Sequence, residues 1–272
     1  MASMEKPAEL DTALELLGGL DLAAGKSREY FEKHLQRLAR TLTLVPRPRS
    51  SGRILELGCY MQITPFLHHW RGYSEVRGAY YGAPGRVVQK SASVRGGAFE
   101  VVVDLFDAER DRYPYDDGSF ETVLACEIIE HLVRDPMHLF LECRRILEEG
   151  GRLIVTTPNI ASLTSVARVL HGYDNPQISS AYPQIRAEAP DEIPHVREYT
   201  AFEVRAALEA AGYEIEALIT EPIAELEMNR PMWNFLEENG YNTSLRGEQT
   251  YCVAIKRGNL QVTRYPRFLY SE

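Results

Sequence analysis

The sequence is poor in cysteine, has no long apolar run and carries no excess of basic residues. Its four cysteines, Cys59, Cys126, Cys143 and Cys252, lie far apart and form no C-x-x-C pair. That spacing signals neither a zinc site nor a disulfide framework, so no metal is expected from it. Such usage fits a reducing compartment. No apolar stretch approaches the roughly 20 residues that a membrane-spanning helix needs. The opening residues, Met1 to Pro7, lead into an acidic amphipathic segment rather than a basic-then-apolar signal. A cytoplasmic location and no membrane partner are therefore expected. Lysine and arginine total 30 against 39 acids, a formal net charge of −9. A surface of that sign disfavours nucleic acid as a partner, because phosphate backbones bind basic surfaces. There is no internal repeat and no low-complexity tract.

What is present suits one large α/β domain or a domain with an added cap: 272 residues, 44% of them hydrophobic. Residues 8–24 and 27–43 read as helices, the second with Phe31, Leu35, Leu38 and Leu42 at helical spacing. The stretch Val45-Pro-Arg-Pro-Arg-Ser-Ser-Gly52 is a linker, since its prolines stop the helix. From Arg53 onward, strands alternate with loops or helices. Strands are predicted at 53–58, 76–81, 99–104, 119–126, 152–157, 213–219 and 249–255, and a loop at 83–97. Asp135-Pro136 opens a helix whose apolar face is Leu139, Phe140, Cys143, Ile146 and Leu147, with Gly150-Gly151 as its end. A further helix is predicted at 160–170. Helix-strand alternation of this kind argues for a parallel sheet with right-handed crossovers. Residues 171–199 are rich in Pro, Tyr, Asp and Ser, and a loop this long inside a domain suits a lid. Thr200-Ala-Phe-Glu203 is a capping box opening the next helix. The expected organisation is a helical extension or lid at 1–50 and a main domain at 51–272 with a cap-like insertion at 171–199.

The most telling stretch is Arg53-Ile-Leu-Glu-Leu-Gly58. Ile54, Leu55 and Leu57 make a strand covered on both faces, as the first strand of a parallel sheet is. Glu56 falls where that strand runs out into the crevice above the sheet, and Gly58 lets the backbone bend sharply beside a ligand. An acid before the glycine suits a ligand with hydroxyls or an ammonium group rather than phosphates. The turn Gly58-Cys-Tyr-Met-Gln-Ile63 supplies no G-x-G-x-x-G, which disfavours a nucleotide-dependent oxidoreductase.

Two further stretches follow in order. One is Tyr113-Pro-Tyr-Asp-Asp-Gly-Ser-Phe-Glu-Thr-Val-Leu-Ala-Cys-Glu-Ile-Ile-Glu-His-Leu132. The other runs from Glu142-Cys-Arg-Arg-Ile-Leu-Glu-Glu-Gly-Gly151 to Pro158-Asn159. Together the three resemble class I S-adenosylmethionine-dependent methyltransferases over about residues 50–160. The resemblance implies a Rossmann-like α/β fold: a seven-stranded, mostly parallel sheet with one antiparallel edge strand and helices on both faces. It implies S-adenosyl-L-methionine as cofactor, lying over the carboxyl ends of the strands. Carried across, Glu56, Gly58 and Cys59 line its methionine half, with Tyr60 in the same turn. Asp104 faces the adenine, with Leu105 packing on the ring. Cys126 and Glu127 border the sulfonium, and His131 sits near the methyl group. Two positions depart from the family's pattern. Tyr60 and Gln62 stand where later glycines are usual, and Tyr80 stands where an acid usually holds the ribose hydroxyls.

Methyl transfer needs an acceptor atom held in line with the methyl carbon, and a hydroxyl acceptor gains from a base. Histidine is the usual base because it titrates near neutrality. His131 is the first candidate, with pocket shaping as its alternative role; His195 is the second, with pinning of the lid as its alternative. Tyr30, His34 and Arg37 share one helix face, which either closes over the site or is solvated. The expected activity is O-methylation of a small-molecule or sugar hydroxyl. Ala125-Cys-Glu-Ile128 lacks the Asn/Asp-Pro-Pro-Tyr/Phe element of nucleobase amino methylases. The rival expectation is a degenerate, non-catalytic binding domain. The tail Arg264-Tyr-Pro-Arg-Phe-Leu-Tyr270 is aromatic and basic, a candidate surface for a second copy of the chain in a homodimer or for the lid, or a plain surface tail.

Overall fold

The alternation that begins at Arg53 folds into one sheet of eight strands in the order β3-β4-β2-β1-β5-β6-β8-β7. The computed structural model describes residues 7–21, 26–94, 97–172, 175–179, 181, 194–222 and 230–271. The strands are β1 (Arg53–Leu57), β2 (Glu75–Tyr80), β3 (Arg86–Val94), β4 (Gly97–Leu105), β5 (Phe120–Cys126), β6 (Leu147–Pro158), β7 (Tyr213–Glu221) and β8 (Gln249–Lys256). The helices are α1 (Pro7–Gly18), α2 (Lys26–Lys33), α3 (Leu35–Leu44), α4 (Thr64–His69), α5 (Met137–Ile146), α6 (Leu163–His171), α7 (Ala201–Ala210) and α8 (Arg230–Glu238). Strands β4, β2, β1, β5 and β6 run parallel to one another. β8 is antiparallel to both β6 and β7 and lies between them, and a second antiparallel strand, β3, forms the opposite edge of the sheet.

The mostly parallel α/β sheet matches the expectation, with one strand more. The segment read as a loop at 83–97 supplies β3, which pairs antiparallel with β4 from Arg86↔Leu105 to Val94↔Gly97. Its side chains are mostly exposed, and an edge strand buries too little for apolar alternation to mark it in the sequence. Helix α5 ends at Ile146 rather than at the glycine pair. Leu147 turns to extended backbone, and the register between β5 and β6 shifts before Thr122↔Arg152.

Two apolar layers cover the sheet. One face packs Leu55, Leu57, Val123, Leu153 and Val155 against α5 and α7. The other packs Ile54, Leu124, Ile154 and Val253 against α1, α3 and α4. The helical extension is therefore part of the core, with Ala13, Leu17, Leu42 and Ala39 fully buried. The capping box at Thr200 forms as read: its hydroxyl accepts from the Glu203 amide, and the Glu203 carboxylate accepts from the Thr200 amide. Much of the cap-like insertion lies outside the described residues. Its described ends are held at Glu198, whose carboxylate accepts from the Ile178 and Ser179 amides, and at the Glu130 carbonyl, which accepts from the amides of Val196 and Arg197.

Candidate functional site

Strand β1 delivers Glu56 to the carboxyl end of the sheet, and the chain turns there at Gly58, whose φ is +66°. Glu56 is buried and accepts a 2.6 Å hydrogen bond from the hydroxyl of Thr64, at the start of α4. Burial pushes its carboxyl up to about 7, against the pull of the Thr64 hydrogen bond and the Lys90 charge. A carboxylate that loses water on burial and lacks a full counter-charge is a receptor for an ammonium group.

The turn folds back over the sheet. The Cys59 amide donates to the Ala79 carbonyl at 3.0 Å, and the Cys59 side chain packs on Gly78. A Cβ on Gly78 would stand 2.9 Å from both Cys59 Sγ and Val103 Cγ2, so glycine in β2 is what lets the turn approach. The thiol is pushed up to about 12, chiefly by burial, so Cys59 is a packing residue and not a nucleophile. Met61, in the turn, holds a φ of +67° with its side chain buried. Tyr60 is exposed, and its ring meets that of Tyr80 edge-on at 5.3 Å, with the Tyr80 hydroxyl donating to that of Tyr60 at 3.1 Å. Lys90, from the unexpected strand β3, reaches over both. Its ammonium lies 4.2 Å from the Tyr80 ring centre and donates to the Cys59 carbonyl at 2.6 Å.

Asp104 is placed elsewhere. Register pairs Leu57 with Ala79 and Ala79 with Asp104, so Asp104 shares a sheet face with Leu57, opposite to Glu56. There its carboxylate takes a fork from Arg77, at 2.6 and 2.8 Å, and a third bond from the Tyr115 hydroxyl at 2.8 Å. Burial opposes ionisation, but these donors outweigh it and hold the carboxyl below its ordinary range. Leu105 ends β4 against the backbone turn, and a Cβ on Gly82 would stand 3.0 Å from its Cδ1.

Strand β5 ends at Cys126, partly buried on the sheet face that carries Ile54 and Leu124, with its thiol pushed up to about 12 by burial. Glu127 follows with a φ of +54°. One of its oxygens accepts from Thr156 and Gln249, each at 2.7 Å, and the other is paired with the guanidinium of Arg37. Arg37 is buried and also donates to the Tyr30 hydroxyl at 2.8 Å. The helix expected over 27–43 breaks at His34 into α2 and α3, so Tyr30 and Arg37 come from different helices, and Arg37 is planted on the strand end. A short 3-10 turn, Ile129–His131, then aims Glu130 and His131 at the segment carrying His195. The two imidazoles meet edge-on at 4.8 Å. His131 Nδ1 faces the Pro194 carbonyl at 3.3 Å, and His195 Nδ1 faces Glu198 at 2.8 Å.

The structure therefore brings Glu56, Gly58 and Cys59 together, joins Tyr60 to Tyr80 through Lys90, and pairs His131 with His195. It separates Asp104 from them. Arg37 was read with Tyr30 and His34 as a face that closes over the site or is solvated, whereas Thr64, Lys90 and Glu130 were not singled out from sequence. Of these three only Glu130 left a trace there, in the run Glu127-Ile-Ile-Glu130-His131. A depression of 430 Å³ lies near this end of the sheet, lined by Leu163, Thr220, Trp233 and Glu248 among others. Another, of 460 Å³, lies beside Arg53 and Ser119, at the opposite end of the strands and away from this chemistry.

The family model described as a methyltransferase domain matches residues 27–218. A curated protein of Mycolicibacterium smegmatis, named as a probable S-adenosylmethionine-dependent methyltransferase, is 31% identical over 114 residues, 42% of this chain and 36% of that protein. The matched part thus spans about a third of that relative's length. Among solved structures, an S-adenosylmethionine-dependent methyltransferase of Archaeoglobus fulgidus superposes with a TM-score of 0.53 at 17% identity, covering 86% of this chain and 100% of that one. A chain from the Haloferax volcanii complex containing the Trm112 methyltransferase activator gives 0.53 at 14% identity, covering 92% and 98%. At such identities the likeness is one of fold. Among the described residues no helix is long and apolar enough to cross a membrane.

Proposed function

This chain belongs to the methyltransferase-domain family, and on that footing we propose that it is an S-adenosylmethionine-dependent enzyme that methylates a hydroxyl of a small molecule or sugar. The observation that carries the reading is the buried Glu56 carboxylate beside the Gly58 bend, at the mouth of the first parallel strand. A cradle of this kind fits the amino-acid end of the donor: Glu56 would hold its ammonium group, and the close-packed turn at Cys59 would border it. Tyr60, Tyr80 and Lys90 would meet the ribose, offering hydroxyls and an ammonium where a carboxylate is usual. When bound, the cofactor supplies a methyl group on a positively charged sulfur. The chain's own task is alignment, because an in-line displacement gains most from holding the two reacting atoms in place. Cys126 and Glu127 would border the sulfur, and Arg37 fixes the Glu127 carboxylate. His131 and His195 would flank the acceptor oxygen. The depression near Leu163 and Trp233 supports a small organic acceptor on the same end of the sheet. The aromatic and basic tail at 264–270 remains a candidate contact for a second copy.

The rival reading, a binding domain without catalysis, is favoured by one feature: Tyr60 and Gln62 stand in the turn where the family's glycines are usual. The experiment that separates them is calorimetry with S-adenosylhomocysteine, followed by a screen of hydroxylated acceptors with S-adenosylmethionine for release of S-adenosylhomocysteine. Micromolar binding together with turnover is expected. An absence of binding would remove the enzymatic reading.

A further inference from the structure

No metal was expected from the cysteine spacing, yet three ligands of two kinds, one carboxylate and two imidazoles, converge beside the proposed acceptor position. One carboxylate oxygen of Glu130 and one nitrogen each of His131 and His195 all lie within 4.8 Å of one another. We propose that Glu130, His131 and His195 bind a divalent first-row transition cation.

The first support is Glu130. Its side chain is fully buried; Oε2 accepts from the Thr157 hydroxyl at 3.0 Å, while Oε1 is sealed from solvent with no hydrogen-bond partner. A buried carboxyl oxygen left unpaired is costly and marks a missing partner. The second support is the orientation of the rings. The Pro194 carbonyl can only accept, so in that contact His131 donates from Nδ1. Glu198 is buried and already accepts from two backbone amides, so His195 likewise carries its proton on Nδ1. An imidazole that donates one N–H to a carboxylate or backbone carbonyl while presenting the other nitrogen is the usual outer arrangement around metal-binding histidines. The third support is the clamp. The Glu130 carbonyl accepts from the Val196 and Arg197 amides, which ties the segment bearing His195 to the turn bearing the other two groups.

Two imidazoles and one carboxylate suit zinc, cobalt, manganese or iron(II), and leave coordination positions open. Ligand atoms around such an ion sit about 3–3.5 Å apart, as bond lengths near 2.1 Å require, so binding draws the set together slightly. Glu127 is not a member, because both its oxygens are taken by Arg37, Thr156 and Gln249. This inference rests on the proposed methyl transfer for its role, though not for its test. An acceptor hydroxyl on an open position is acidified by the cation and releases its proton to solvent. Its oxygen then bonds to the methyl carbon as the carbon–sulfur bond breaks, and the donor leaves as a neutral thioether. In that arrangement the histidines hold the cation and neither serves as the base.

The test uses the full chain, stripped with a chelator and titrated by calorimetry with Mn²⁺, Co²⁺ and Zn²⁺ in turn. One cation per chain is expected for the wild type, with Co²⁺ giving visible absorption bands. His195→Ala and Glu130→Gln should each weaken binding about 100-fold, and Glu198→Gln, a positioning change, about 10-fold. His68→Ala with His69→Ala, an exposed pair away from the cluster, should bind as the wild type does. Should Glu130→Gln not fold, His195→Ala carries the test through the cation-induced rise in Tm, which should vanish in it. A wild type that takes up no stoichiometric cation, or a His195→Ala variant that binds as tightly, overturns the site. S-adenosylhomocysteine titrated into the same samples keeps the two readings apart. Cation uptake without it supports this site and removes the donor reading; binding of it without cation uptake does the reverse.

Discussion

Glu56 shows how one residue's surroundings set its chemistry. Its carboxyl is pushed up to about 7 because burial removes water and Thr64 and Lys90 restore only part of the loss. For folding, the sign is that of a raised acid. The proton held by the folded state favours the fold below about 4.5, and that contribution is lost as pH rises through about 7. For a ligand bearing an ammonium group the sign reverses, because only the ionised carboxylate attracts it. S-adenosylhomocysteine affinity should therefore rise up to about tenfold per unit as pH climbs toward 7, then flatten, and fall only when the ligand's own amine titrates at higher pH. Calorimetry across that range checks it, and Glu56→Gln should lose both the affinity and the slope; an unchanged slope in that variant places the titrating group elsewhere. Asp104 teaches the converse. It is an acid at a strand end, as Glu56 nearly is, but on the other face it is satisfied by Arg77 and Tyr115. Both acids were legible as strand-end residues. What distinguishes them is their partners, contributed by residues 27 and 11 positions away in the chain.

At the scale of elements, the site depends on how closely the turn after β1 approaches β2. Gly78 is the space that permits this, and its role is invisible locally because it reads as an ordinary strand residue. Gly78→Ala should cost about 1–3 kcal/mol, since the added methyl meets the buried Cys59 and Val103 side chains. It should also weaken S-adenosylhomocysteine binding by displacing the turn. Urea unfolding and calorimetry on the same protein check both effects; unaltered binding with lowered stability would show that the turn does not form the cradle. The β3 hairpin is the second element that sets the site. It carries Lys90 to Tyr80 and to the Cys59 carbonyl. An edge strand with polar side chains on most positions has no period strong enough to be read, so neither the strand nor its lysine was expected.

Across the whole molecule, the helical extension and the sheet share one core and charged contacts, Arg37 with Glu127 and Arg40 with Glu221 among them. Arg37 is one such link: buried, paired with Glu127 and donating to Tyr30. Burial alone would favour loss of its charge, but Glu127 and Tyr30 hold it more firmly charged than usual. Arg37→Ala should therefore cost about 3 kcal/mol, the loss expected when one partner of a buried ion pair is removed. A thermal melt would show this as a lowered Tm, and a change near zero would mean that the Arg37–Glu127 pair does not hold the extension. The sequence by itself determined the α/β class, the first strand with its acid and glycine, the capping box at Thr200 and the family. Each of these is written in local periodicity, turn chemistry or ordered motifs. Only the tertiary structure decided that Asp104 turns away from Glu56, that Lys90 and Arg37 enter the site, and that Glu130, His131 and His195 meet. Those outcomes depend on strand register and on contacts between distant segments, and a side chain's partners across such distances are fixed by packing rather than by its neighbours in the chain.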